Sequence, residues 1–434
     1  MSREMKDSGV SWVGVIPYLW IVRRLRYLGS LASSGVDKKT YEGESTYKSV
    51  QYMNVYKNSL KEIGNSEVYL LVSADGNQAK NCTLHDGDVL FTNSSETPED
   101  IGHSVVISED LDNTLFGYHL MRFRPNGEVS GHFAKYMFGS HYVRKWFSYR
   151  AYGMTRYGIS RSDFSDAIMI LPPLNEQHLI TNYLDMKCLR IDRLIALQGK
   201  MITELHAYKQ SVITEAVTKG LDSDVPMKDS GVEWLGVIPM EWNAKRLKYG
   251  VKIRNTRANN PQLQYIGLEN VESLSGKLIV TDSQYDAEQA LLVKQNDVLF
   301  GKLRPYLAKV HLAANDAVCS GEFAIFYDFD YSQEFLRYQM LSHWFTSIVN
   351  SSTYGAKMPR ANIDFIRELV MLFPSEQEQD SIVEYLNDVC KKIDYMLSLK
   401  QSKIEALKEF KKSLIYECVT GKRDCTTGRQ EDGT

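Results

Sequence analysis

Along residues 184–216 one face of the pattern steps alternately by four and three: Leu184, Cys188, Ile191, Ile195, Gln198, Ile202, Leu205, Lys209, Val212, Ala216. This is a heptad seam. It lies in a stretch, 175–219, without proline and with Gly199 as its single glycine. Such a seam predicts a long helix that pairs with another. The same spacing returns at Leu386, Cys390, Ile393, Leu397, Lys400, Ile404, Leu407, Lys411, Leu414 and Cys418. Polar residues interrupt both seams at matching places, Gln198/Lys400 and Lys209/Lys411, and polar groups in a seam fix register at a cost in stability. Pro172-Pro173 and Pro374 stop any earlier helix from running through. About 45 residues rising ~1.5 Å each make a rod of about 68 Å. Ile180 and Leu194 lie off the seam and are expected on outer faces open to a partner's helices.

Ahead of each seam the periodicity shortens to β-like runs. Asp86-Gly87-Asp88 reads as a turn into a strand at Val89-Leu90-Phe91. Ser104–Ser108 and Tyr118–Arg124 are further candidate strands, and 130–147 has helical spacing with Phe133, Met137 and Trp146 on one face. The later stretch offers strands at 263–268, 298–300 and 322–327 and a helix at 333–349. The expected class is α+β: two globular α/β domains joined by two long helices that form an antiparallel, pseudo-two-fold coiled coil.

A duplication underlies this symmetry. Met5–Tyr27 reads MKDSGVSWVGVIPYLWIVRRLRY and Met227–Tyr249 reads MKDSGVEWLGVIPMEWNAKRLKY, with 15 of 23 positions identical. Asp88-Val89-Leu90-Phe91 returns as Asp297-Val298-Leu299-Phe300, Tyr152-Gly153 as Tyr354-Gly355, and Glu176-Gln177 as Glu378-Gln379. The copies share an opening and a close, and their middles have diverged. The division expected is a globular domain 1–173, helix 174–219, linker 220–226, globular domain 227–373, helix 374–420 and a disordered tail 421–434.

The 434 residues carry 51 basic and 54 acidic side chains, a net charge of −3, which excludes a uniformly basic nucleic-acid coat but not a local basic face. Cys82, Cys188, Cys319, Cys390, Cys418 and Cys425 are too sparse for a disulfide framework and form no C-x-x-C, so they read as reduced thiols of a cytoplasmic protein. No apolar leader follows the N-terminus, and no run of about 18 apolar residues predicts a membrane span. Phosphate-binding glycine loops, zinc-ligand spacings, a nucleophile elbow and the adenine-methyltransferase D/N-P-P-Y/F signature are all missing. No catalytic site, metal site or bound cofactor is expected, and the nine histidines read as structural or solvated.

The local chemistry lies in the diverged middles. His141–Arg161, HYVRKWFSYRAYGMTRYGISR, contains Arg144, Lys145, Arg150, Arg156 and Arg161 and no acid, interleaved with Tyr142, Trp146, Tyr149, Tyr152 and Tyr157. The second copy has acid-free Gly301–Lys309, with Lys302, Arg304, Tyr306 and Lys309, and then Tyr354–Arg360, with Tyr354, Lys357 and Arg360. Such segments neutralise phosphates and read base edges. They also fit a solvated helix face whose aromatics point inward.

In MKDSGV-x-W-x-G-x-IP, D-V-L-F and P-x-x-x-E-Q, each present twice over residues 5–421, the chain resembles the specificity subunit of type I restriction–modification systems. The resemblance implies a non-catalytic subunit with two target-recognition domains, each reading one half of a bipartite duplex-DNA site, and helices that set the spacer. It implies two modification subunits that bind S-adenosylmethionine and methylate adenine, and restriction subunits that use ATP and Mg. Carried over, the DNA-facing loops are Thr92–Glu96, with Asn93 and Ser94, beside Tyr152–Tyr157, with Thr155, and Gly301–Tyr306 beside Tyr354–Arg360. The first of these departs from its counterpart, having no basic residue where the second copy has Lys302 and Arg304. Two other readings stand beside this one: a coiled-coil scaffold whose end domains bind proteins, and an enzyme fused to a dimerising rod.

Overall fold

The computed structural model describes residues 3–58, 60–65, 69–258, 260, 262–279, 290–355 and 358–425. The chain forms two compact units. Unit one is Met1–Leu197 together with Lys403–Thr434, and unit two is Gln198–Ser402.

In unit one the D-V-L-F run becomes the middle strand, Val89–Thr92, of a five-stranded sheet. Its neighbours are Leu120–Pro125 and Ser104–Ile107, with Gly29–Ser33 and Glu62–Ile63 at the edges. All four residues of the middle strand are buried. A strand covered on both faces reads as a continuous apolar run, which explains the absence of alternation here. Val89 and Phe91 face a core with Phe123, Phe133, Phe138, Phe147 and Phe164. Leu90 faces a second core with Val105, Ile107, Leu115 and Phe116, shared with the four-stranded sheet Leu70–Ala74, Ser45–Val50, Leu111–Phe116, Thr83–Leu84.

Unit two repeats the plan with fewer strands. Its sheets are Lys252–Arg254, Phe323–Tyr327, Val298–Gly301, Val310–Leu312 and Gln264–Ile266, Ala317–Cys319, Leu291–Val293. The aspartate before each middle strand is buried and held by an arginine, but from a different strand in each unit. Asp88 pairs with Arg124, on the neighbouring strand Leu120–Pro125, and Asp297 pairs with Arg254, on the edge strand that precedes it in the chain.

Each expected single helix over 130–147 and 333–349 is two helices: Gly131–Gly139 and His141–Arg150, and Gln333–Leu341 and His343–Ser351. Ser140 and Ser342 take extended backbone, and each hydroxyl caps the preceding turn by donating to the carbonyl of Met137 or Gln339. Apolar spacing carried through the serines, so the pattern alone did not mark the break.

The long helices are Leu174–Lys219 and Glu376–Val419, and they pack together within both units. In unit one, Ile180, Leu184 and Ile191 of the first helix share a core with Leu414, Cys418 and Val419 of the second. In unit two, Val212, Ile213, Ala216 and Val217 share one with Ile382, Leu386 and Cys390. The end of each long helix thus completes the core around the other copy's opening segment. Gly421 lies against Pro17 and Trp20, and Gly220 against Trp242. Ile180, placed on an outer face by the sequence, is buried, because the globular core covers that side of the helix; Leu194 is exposed. Residues 421–425, expected to begin a disordered tail, are ordered against unit one, where buried Cys425 meets Cys418. The remainder of that tail lies outside the described residues.

The duplicated motifs have structural work in both units. The Trp20 indole donates to Glu176 at 2.9 Å, and the Trp242 indole to Glu378 at 2.9 Å. Gln177 accepts from the Ser130 amide, and Gln379 from the Ser332 amide. E-Q therefore ties the start of each long helix to the opening tryptophan and to the helical hairpin beside it.

The lysines that interrupt the seams find carboxylates on the partner helix. Lys209 meets Asp394 at 2.6 Å in unit two, and Lys411 meets Asp192 at 2.7 Å in unit one. The Lys209 and Asp394 side chains are 5% and 16% exposed, whereas Lys411 and Asp192 are 26% and 44% exposed. Solvent screens the second pair. Lys209→Met is expected to destabilise unit two by about 3 kcal/mol, the low end for a broken buried pair, because Lys277 remains beside Asp394. Lys411→Met should cost clearly less. Urea unfolding of the two variants checks the order, and equal losses would show that burial does not set the difference.

Candidate nucleic-acid interface

In each unit, two loops distant in sequence lie side by side. In unit one Ser94-Ser95 pairs antiparallel with Tyr157-Gly158, and the Ile159 amide donates to the Asn93 carbonyl at 3.1 Å. Tyr152 and Gly158 exchange backbone hydrogen bonds at 3.0 and 2.8 Å, closing the second loop at its neck. Asn93 and Ser94 are half-buried at this junction, as is Tyr157, while Tyr152, Thr155 and Arg156 are exposed. The Tyr52 hydroxyl donates to the Ser94 carbonyl at 3.1 Å. Tyr52 carried no sequence signal; only the fold brings it to the loop.

In unit two the Arg304 amide donates to the Pro359 carbonyl and the Ala361 amide to the Lys302 carbonyl, each at 2.8 Å. Leu303 and Tyr354 both form bridges with Arg360. Arg304 and Ala308, at φ 52° and 46°, flank the turn Pro305–Leu307 in the left-handed region, which is costly for residues with a Cβ. Arg304, Tyr306 and Tyr354 are exposed. Lys357 lies outside the described residues.

The cations differ in how free they are. Lys145 and Arg156 are exposed. Arg150 lies over the Trp146 ring and 3.9 Å from Asp163. Arg144 is half-buried and donates to the Glu99 carbonyl at 3.1 Å, which braces the loop that holds Glu99. Burial lowers the Arg144 pKa. Lys309 donates to the Leu268 carbonyl at 2.6 Å, and Arg360 pairs with Glu322. Half-buried Lys302 has its pKa lowered by burial, against the pull of Glu322.

Behind the unit-one edge, His103 Nε2 lies 2.8 Å from Asp100, which also accepts from the Tyr56 hydroxyl at 2.6 Å. The His103 amide donates to the Thr92 hydroxyl, and the Gly102 amide to the Thr92 carbonyl, closing the base of the 93–101 loop. Burial lowers the His103 pKa and outweighs Asp100; Arg144 and Lys61 push the same way as burial. Burial pushes Asp100 up, but the hydrogen bonds from Tyr56 and His103 leave it lowered. Just below pH ~6.5 the unfolded chain protonates His103 while the folded unit does not. Stability is therefore full above that window and declines as pH falls toward the folded pKa. The melting temperature of unit one should drop between about pH 7 and 5.5, and His103→Gln should flatten that drop. An unchanged slope in the variant would assign it to other groups.

Among the described residues, no group of three or more His, Cys, Asp or Glu could hold a metal ion, and no helix is long and apolar enough to cross a membrane. No protein-family model matches the chain. The MjaX type I restriction enzyme specificity subunit of Methanocaldococcus jannaschii is 23% identical over 94% of this chain and 95% of its own length. The EcoDI type I restriction enzyme specificity subunit of Escherichia coli is 24% identical over 52% of this chain and 55% of its own. A solved chain of a type I restriction–modification system, studied for complex assembly and conformational transition, shares the fold with TM-score 0.70 at 14% identity, covering 94% of this chain and 99% of that one. The HsdS subunit of Thermoanaerobacter tengcongensis does so with TM-score 0.51 at 16% identity, covering 94% and 98%. The resemblance carried by the duplicated motifs thus extends over nearly the whole chain, and it is that of a type I restriction–modification specificity subunit.

Proposed function

We propose that the chain is the DNA-specificity subunit of a type I restriction–modification complex, in which each globular part reads one half of a bipartite duplex site. The observation that carries this reading is the loop pairing found in both units. Segments more than 50 residues apart meet at one edge, at equivalent places in the two copies, and present tyrosines and arginines there. The candidate contacts are Asn93, Ser94, Lys145, Arg150, Tyr152, Thr155, Arg156 and Tyr157, and Lys302, Arg304, Tyr306, Lys309, Tyr354, Lys357 and Arg360. Arg144 belongs with them, and its bond to the Glu99 carbonyl also braces the neighbouring loop.

In this reading the long helices form an antiparallel, pseudo-two-fold coiled coil that sets the spacer and carries two modification subunits. The seam consists of Leu184, Ile191, Ile195, Ile202, Leu205 and Val212 against Leu386, Ile393, Leu397, Ile404, Leu407 and Leu414. Adenine methylation and its S-adenosylmethionine belong to the modification subunits, ATP and Mg to restriction subunits, and the complex works in the cytoplasm. The scaffold alternative is not favoured, since the full-length relative is named a specificity subunit.

The test is genome-wide mapping of methylated adenine in cells with and without the chain and its modification subunit. A gapped two-part motif that appears only with the chain is expected. A soluble, partnered chain that adds no motif and shows no salt-dependent, sequence-selective DNA binding would overturn the proposal.

A further inference from the structure

The loop that closes at Tyr152 and Gly158 carries at its tip a methionine, Met154, that is 95% exposed. Tyr149 and Tyr152 beside it are 83% and 64% exposed. A loop free to relax would fold such groups back onto the protein. This one is held out: its neck is paired backbone to backbone, and that neck is paired in turn to Ser94-Ser95. Gly153 takes φ +149°, and a Cβ there would run into the Arg156 carbonyl, so the turn before the methionine admits only glycine. The segment that carries the tip is cationic. Lys145, Arg156 and Arg161 are exposed, and no ion pair among the described residues engages them. The segment His141–Arg161 contains no carboxylate.

A projecting apolar tip in a segment that carries exposed cations and no carboxylate suits a duplex, whose phosphates meet the cations and whose base stack meets the tip. Proteins that kink DNA insert Met, Leu, Phe or Ile between base steps in this way. An unbranched thioether also adapts to different steps. Resting on the proposed function, we propose that Met154 is a wedge that enters a base step of the half-site read by unit one and partly unstacks it. Unit one would then read deformability as well as base edges. Pyrimidine–purine steps open most readily, so the half-site should carry one at the wedge position, even though a thioether reads no hydrogen-bonding edge there.

The experiment uses the full chain complexed with its modification subunit, on duplexes carrying 2-aminopurine at each step of that half-site in turn. A several-fold fluorescence rise is expected at one step other than the methylated adenine. It should vanish in Met154→Ala and persist in Met154→Leu. Methylation of that half-site should fall about tenfold in the alanine variant, with the other half unchanged. An alanine variant that keeps the signal overturns the wedge, as does a leucine variant that loses it along with the alanine variant. Either result leaves the specificity reading standing if the gapped methylation motif is still made. Loss of that motif in the unmodified chain would instead sink the specificity reading.

Discussion

A chain cut after Pro226 is expected to be a homodimer. Such a chain keeps the first opening segment but loses Leu414, Cys418 and Val419, which complete the unit-one core. Each fully buried aliphatic side chain contributes about 1.5–3 kcal/mol, against a whole-domain stability of about 5–15. The truncated unit cannot easily lose that and remain folded alone. It does carry a substitute. Val212, Ala216 and Val217 occupy in the first helix the repeat positions of Leu414, Cys418 and Val419, and in the intact chain they pack around Trp242. Trp20 and its neighbours offer the equivalent seat, so two truncated chains can complete each other. Light scattering should report twice the mass of the cut chain. With the modification subunit, the methylated site should become palindromic, with the unit-one half on both sides. A folded monomer would show that the helix ends are dispensable.

Exchanging residues 28–171 for those of a related subunit should replace one half-site and leave the other intact. The exchange keeps the opening segment, the Glu176-Gln177 anchor and the seam, while replacing the five- and four-stranded sheets and both candidate loops of unit one. Each mismatched base pair costs about 1–3 kcal/mol, so three mismatches at the middle of that range reduce binding of the old half-site by more than a thousandfold. Methylation mapping of the chimera reads the result directly. A change in both halves would refute independent reading by the two units.

Much of this architecture was legible because the duplication gives each signal twice. The seams predicted two long helices, and their polar interruptions marked Lys209 and Lys411, each now seen opposite a carboxylate. The D-V-L-F runs predicted strands and are interior strands of their sheets. Other features depend on contacts between distant residues, which no local pattern carries. Ile180 read as surface because a helix's periodicity does not say how much of its circumference a globular core will cover. The bond from Arg144 to the Glu99 carbonyl was silent because its i and i+3 neighbours cannot show a partner 45 residues away. Tyr52 was silent because its role exists only where the fold brings it to Ser94.

The buried aspartates bear on how such chains can recombine. Arg124 stands at the register position that Tyr327 occupies in unit two, and Arg254 at the position of Ala32. A crossover placed between the edge strand and the middle strand would join Ala32 to Asp297 and Tyr327 and leave the aspartate without an arginine. An uncompensated buried charge of this kind costs about 3–5 kcal/mol, enough to unfold many domains. The reciprocal product would crowd Arg124 and Arg254 around Asp88 alone. Viable mosaics should therefore have their junctions outside the sheets, in the shared opening and closing segments, so that each recognition domain is inherited as one block.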